Sequence, residues 1–351
     1  MSEETPVGEE FFKGILNTIS SFPRTLRYLL KHMNMLFWWV SMGPYYISWA
    51  YTLKVVLPSQ GETWGWLINS FGENPSTANM FYLILDFIGS WMAASENFFL
   101  GVIVVGPLLG GSTLLFNDYC DREYDKSIRK EEYPMVTGLL SSETALLTSI
   151  VLMLGAVLLS MRISWLFTGL ISICILLSVL YSAPPVRLKE KPGIDLITCM
   201  VGAGVICSLA GWAAAGAGRP LGELVWWFVI VALGTGAIYM PTTIVDYEGD
   251  KKEGLTTIAT KLGLGRSFYL GFLCILLADI LIVIISSSNY LFTSGFLKWA
   301  IPIIAAQLIP YFLLARNPTP KNGMFAIVHM GILLVLGNMM MVFHVAGVYF
   351  L

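Results

Sequence analysis

Two short acidic stretches carry the chemistry legible in this sequence. Residues 117–125 read NDYCDREYD and supply Asn117, Asp118, Asp121 and Asp125; residues 246–250 read DYEGD and supply Asp246 and Asp250. Four-residue spacing puts Asn117, Asp121 and Asp125 on one helical face, and Asp246 and Asp250 on another, if the helices continue that far. Like charges at that spacing repel, and carboxylates near membrane depth are costly, so something should compensate them. Hard divalent cations are the natural partners. Mg²⁺ takes a few carboxylates, keeps some waters and accepts phosphate oxygens from a substrate. Two such sets facing one cavity could hold ions on either side of a diphosphate. The competing reading is that these acids are solvated residues at the ends of spans, offset by Arg122, Lys126, Lys251 and Lys252. Two motifs on one side of a membrane, separated by four spans, favour the metal reading.

A third stretch, YSAPPVRLKEK, brings Tyr181, Arg187 and Lys189 to the same side. Cations there could bind a diphosphate and stabilise it as a leaving group, although each taken singly also suits positive-inside anchoring. Gly106, Gly110 and Gly111 precede the first motif and Gly234 and Gly236 the second; small residues let helices approach closely in lipid.

These residues need membrane helices to position them. The chain is 56% hydrophobic and 13% charged, where a soluble domain carries about 25% charged residues. Mean hydropathy is +0.71. The net charge of −2 offers no basic surplus for nucleic acid. Five cysteines, four of them in apolar runs, suggest neither disulfides nor a zinc site but small buried side chains. The polar, acidic N-terminus predicts no cleavable signal peptide.

Apolar runs predict an all-α integral membrane protein with nine spans, over 35–57, 97–116, 144–161, 164–182, 195–217, 224–245, 267–287, 297–315 and 324–350. Residues 11–32 read as an amphipathic interfacial helix broken near Pro23, within an N-terminal segment 1–34. Residues 58–96 read as an extramembrane insertion within the nine-span domain 35–351. With the N-terminus cytoplasmic and the C-terminus opposite, every Lys and Arg except Lys54, Arg162, Arg219 and Lys298 falls on the cytoplasmic side, as in an inner or plasma membrane.

With both motifs in view, the chain resembles the UbiA superfamily of intramembrane prenyltransferases. NDYCDREYD fits the family's NDxxDxxxD motif, DYEGDKKEG fits its second DxxxD motif, and YSAPPVRLK recurs there in similar form. The resemblance runs from the first span to the ninth. It implies nine helices around a central cavity capped by cytoplasmic loops, with Mg²⁺ as cofactor and Asn117, Asp121, Asp125, Asp246 and Asp250 handling a metal-bound diphosphate. Asp118 is a further candidate ligand, and Tyr181 with the basic residues of the cap would assist.

The stretch GPLLGGSTLLFNDYCDREYD is similar to chlorophyll and bacteriochlorophyll synthases, which implies a phytyl or geranylgeranyl donor and a tetrapyrrole carboxylate acceptor. Two features depart from that branch. Tyr133-Pro134 stands where an Arg-Pro segment is usual, leaving Arg129 or Lys130 to substitute in donor binding. The DYEGD spacing looks more like quinone, archaeal-lipid or carotenoid prenyltransferases.

The expected reaction is metal-assisted ionisation of an allylic diphosphate and capture of the cation by a lipophilic acceptor, inside a bilayer that excludes water. Trp38, Trp39, Tyr45, Tyr46 and Trp49 could line the cavity, with helix packing expected for at least half of them. His329 and His344 could meet an acceptor or metal, with buried packing the favoured reading. A transporter with a cation site is the rival class. It would place ionisable groups near the bilayer midplane, where Asp86 and Asp279 are the main candidates.

Overall fold

A computed structural model describes residues 23–53, 96–128 and 133–345. The elements are α1 (Trp38–Leu53), α2 (Glu96–Lys126), α3 (Ser142–Ser160), α4 (Trp165–Ser182), α5 (Ile194–Ala214) and α6 (Leu221–Val245). The short α7 (Tyr247–Lys252) and α8 (Ile258–Leu262) follow, then α9 (Leu264–Ser287), α10 (Leu297–Ala315) and α11 (Pro320–Val345). Among the described residues there is no strand, and 8 helices are long and apolar enough to cross a membrane. They correspond to the second to ninth expected spans. The first expected span appears as α1, which has 16 residues up to Leu53, where the described stretch stops. The insertion up to residue 95 and the first part of the expected interfacial helix lie outside the described residues, as do Asp86, Arg129 and Lys130; residues 23–33 are helical.

Local signals set the helix ends. Ser141 caps α3 by accepting from the Thr144 amide at 3.1 Å, and Ser164 caps α4 by accepting from the Phe167 amide at 3.1 Å. Gly263, at φ 81°, makes the sharp joint between α8 and α9 that a side chain would oppose. Two helices widen to π geometry, α2 over Val104–Gly111 around Pro107 and α5 over Met200–Ile206. Proline lacks the amide that an α-helical turn needs, and such widened turns recur near functional sites.

The two largest apolar clusters hold the bundle. One joins α6, α9, α10 and α11 through Ile244, Phe268, Tyr311 and Met330; the other joins α1, α2, α4 and α5 through Tyr45, Val105, Phe167 and Ala210. Leu147, Leu158, Trp165, Ile284 and Ile309 point outward, the surface a bilayer solvates. Of the span-one aromatics, Tyr45 is buried and donates to the Asn97 and Phe98 carbonyls at 3.2 Å each, while the Trp49 and Phe98 rings lie 4.6 Å apart. These two pack helices. His329 meets the Ala306 carbonyl at 2.7 Å, and His344 meets the Thr293 amide and hydroxyl at 3.1 Å each, so both also serve packing.

Helices α5 and α1 meet backbone to backbone at Gly211, where a Cβ would lie 2.0 Å from the Tyr45 carbonyl oxygen. Backbone cannot yield as a flexible side chain does, so Gly211→Ala must push α5 from α1. The expected outcome is a loss of about 1–3 kcal/mol, the range for overpacking a close-packed interior. A thermal melt in detergent measures it, and an unchanged midpoint would show that the two helices separate freely.

Candidate active site

Both acidic motifs sit at one end of the bundle, where α2, α4 and α6 finish and α5 and α9 begin. Helix α2 continues through the first motif, so Asn117, Asp121 and Asp125 do fall on successive turns of one face. The Asn117 amide donates to Asp121 Oδ2 at 3.1 Å, and its Oδ1 accepts from Ser182 Oγ and Lys189 Nζ, each at 3.0 Å. Asp121 holds two cations: Arg187 Nη2 at 3.0 Å on Oδ1, and Lys189 Nζ on Oδ2. The chain leaves α4 at Ala183 and reaches these cations through a short loop. In it Arg187 adopts the left-handed conformation at φ 37°, ψ 65°. A non-glycine residue there costs about 1–2 kcal/mol, so the loop's other contacts must enforce it.

The second motif begins at Asp246, the single residue between α6 and α7, whose carbonyl accepts from the Asp250 amide at 2.9 Å. The Asp250 carboxylate is buried and accepts from Tyr124 Oη at 2.6 Å and Thr257 Oγ1 at 3.1 Å. Tyr124 belongs to the first motif, so this bond ties the two motifs directly. Burial pushes the Asp250 carboxyl above the ordinary aspartate range and the charges of Asp246 and Asp121 add to the rise, while the two hydroxyls oppose it. A divalent cation at this point would reverse the balance and hold the carboxylate ionised.

Not every candidate joins the cluster. Asp118, a turn-face away from Asn117 and Asp121, pairs with His32 Nδ1 at 2.8 Å and so anchors helix 23–33. The Tyr181 hydroxyl donates to the Tyr239 hydroxyl at 3.2 Å.

Among the described residues, no three His, Cys, Asp or Glu side chains already stand as a metal-binding group. Asp121 is instead neutralised by Arg187 and Lys189. The donors present still suit a hard cation, being all oxygen, with Asn117 and Asp121 one turn apart on α2. The counter-cations are of the kind that pair equally well with phosphate oxygens.

Sequence reasoning missed Asp195, Tyr124 and Thr257. Asp195 is fully buried at the start of α5. Its Oδ1 accepts from the Gly193 and Leu196 amides at 2.7 and 2.8 Å, and its Oδ2 accepts from the Ile258 amide at 3.0 Å. One carboxylate thereby clips the loop carrying Arg187 and Lys189 to the loop whose Thr257 holds Asp250. The available signal was a lone acid in the first turn of an apolar span. Asp195→Ala leaves these amides without their acceptor, and losing a helix cap costs about 1–2 kcal/mol before the loops separate. A melting midpoint lowered by several degrees, with weakened donor binding, is the expected result. Unaltered donor binding would show that the two loops hold their places without the clip.

Both the sequence and the fold match known proteins. The family model described as "UbiA prenyltransferase family" matches residues 80–346, more than half of the chain. A digeranylgeranylglyceryl phosphate synthase of Natronomonas pharaonis is 28% identical over 225 residues, 63% of this chain and 76% of the relative. The bacteriochlorophyll synthase 33 kDa chain of Cereibacter sphaeroides is 25% identical over 268 residues, 71% of this chain and 81% of the relative. Among solved structures, a UbiA homologue from Archaeoglobus fulgidus bound to DMAPP and Mg²⁺ superposes with a TM-score of 0.60 at 21% identity. That match covers 92% of this chain and 100% of the other.

Proposed function

Because the chain belongs to the UbiA prenyltransferase family, we propose that it moves a prenyl chain from an allylic diphosphate to a lipophilic acceptor at the end of the bundle where its acidic motifs meet. The observation that carries this reading is the Tyr124–Asp250 bond beside the Asp121–Arg187–Lys189 cluster, which gathers oxygen donors and phosphate-binding cations at one rim.

Mg²⁺ is the cofactor, and when bound it neutralises the diphosphate so that it can leave. Asn117, Asp121, Asp125, Asp246 and Asp250 are the residues that would hold it. Arg187 and Lys189 turn from Asp121 to the diphosphate oxygens, joined by Arg129 and Lys130 as further cations. The C1–O bond of the donor breaks with its electron pair leaving on the diphosphate, and the acceptor supplies the pair for the new bond. Apolar helices keep water from the allylic cation. The rim faces the cytoplasm in this reading, and residues 35–351 form one nine-helix unit with 58–96 inserted.

For the acceptor, the stretch around the first motif supports esterification of a chlorophyllide or bacteriochlorophyllide with a C20 chain. That carboxylate is already ionised and needs no base. The four-residue spacing of Asp246 and Asp250 favours a second reading, a glycerol-based lipid alcohol of the kind named in the archaeal relative.

The deciding assay uses the purified chain in nanodiscs with geranylgeranyl diphosphate and Mg²⁺, offered bacteriochlorophyllide, chlorophyllide, geranylgeranylglyceryl phosphate, a quinone precursor and a lycopene-type carotenoid. Products are identified by mass. A tetrapyrrole ester supports the first acceptor and a second ether-linked chain the other. A quinone or carotenoid product keeps the mechanism and overturns both acceptors, and no Mg²⁺-dependent diphosphate release would overturn the reaction itself.

A further inference from the structure

The bundle holds a second polar cluster, which prenyl transfer at the rim does not use. Asp279 is 2% exposed, on a helix whose only other charged residue is Arg266. Its Oδ1 accepts from Gln307 Nε2 of α10 at 2.9 Å, while its Oδ2 is buried without a hydrogen-bond partner. Asn338 of α11, 7% exposed, also leaves its side-chain Nδ2 unpartnered. Both residues line one cavity of about 100 Å³, walled by Trp227, Ile238, Ile282 and Met341. A water molecule needs only ~10–15 Å³ of such space.

The placement is deliberate in its packing. On α1, Gly43 faces Asn338 so closely that a Cβ would lie 2.1 Å from the amide nitrogen. At 1.5 Å per residue, Asp279 stands ~22 Å along α9 from Leu264 at the motif end. An ionisable side chain that deep in a membrane bundle is rare, and by default marks a site. Buried polar atoms without partners call for a ligand or an ordered water.

The two vacant valences define the occupant. Asp279 Oδ2 needs a hydrogen donor and Asn338 Nδ2 needs an acceptor, and a hydroxyl offers both. A bare prenyl tail would leave both polar atoms unpaired. The walls require an apolar body. We propose that this cavity binds a lipophilic alcohol or phenol, its O–H donating to Asp279 and its oxygen accepting from Asn338. The site lies deep in the bundle and its test reads binding, so its outcome is separate from that of prenyl transfer.

The test uses the full chain in nanodiscs and a diazirine-bearing C20 isoprenoid alcohol, with crosslinks mapped by mass spectrometry. Competitors are the unlabelled alcohol, its methyl ether and the parent hydrocarbon. Crosslinks to α9 and α11 are expected, with the ether competing about tenfold more weakly than the alcohol because it cannot donate to Asp279. Asp279→Leu and, independently, Asn338→Leu should each reduce labelling by about the same factor in chains that still melt cooperatively. Equal competition by alcohol, ether and hydrocarbon would overturn the proposal in favour of a plain apolar groove, a comparison needing only the wild-type chain. Absence of labelling would mean the cavity holds water only, and stabilisation by Na⁺ or K⁺ without any effect of the alcohol would mean a cation site; either overturns it.

Discussion

Asp121→Ala and Asp250→Ala each reduce prenyl transfer by about 10²–10³-fold or more, the scale on which loss of one electrostatic stabiliser lowers kcat. Both carboxylates are held in place by the protein's own groups: Asp121 by Asn117, Arg187 and Lys189, and Asp250 by Tyr124 and Thr257. Neither Ala variant can supply an oxygen donor from the lost position. The variants remain folded, because the two largest apolar clusters lie within the bundle and the substitutions fall at its rim. Circular dichroism and a melting midpoint check the fold; single-turnover pyrophosphate release checks the chemistry. Asp121→Asn and Asp250→Asn, which keep shape and lose charge, should fail nearly as badly. Full activity in both Ala variants would sink the two-motif site.

What the sequence made legible was periodic or compositional. The four-residue spacing placed Asn117, Asp121 and Asp125 on one face because α2 runs unbroken through the motif. The apolar runs marked the spans because a bilayer forces backbone pairing within each segment. Cationic type alone picked out Arg187 and Lys189, although not their hold on Asp121. The rest depended on contacts between distant segments. Asp195 reaches the Ile258 amide across 63 positions, and Tyr124 reaches Asp250 across 126. No local pattern announces such pairs. Asp118 shows the limit in the other direction. Sharing a motif did not give it a shared direction, since one residue along a helix turns about 100°, and this turn points it at His32.

Lys189→Met should separate two quantities that usually fall together. Lys189 reaches both Asn117 Oδ1 and Asp121 Oδ2, so it stands where a metal ion would have to compete for the same oxygens. Removing the ammonium leaves Asp121 with Arg187 as its remaining ion-pair partner and lowers the electrostatic cost of bringing a divalent cation to the carboxylate. Half-saturation by Mg²⁺ is therefore expected at a several-fold lower concentration. Turnover moves the opposite way: the departing diphosphate has lost a cation, and a kcat fall of about 10²–10³-fold follows from one missing charge contact. Arg187→Met should show the same split, tempered by release of its left-handed backbone. Titrating Mg²⁺ against both initial rate and donor-independent thermal stabilisation reads the two quantities separately. A lysine that merely anchored the loop would weaken both together, so parallel losses would assign Lys189 to anchoring and leave Arg187 as the cation that meets the leaving group.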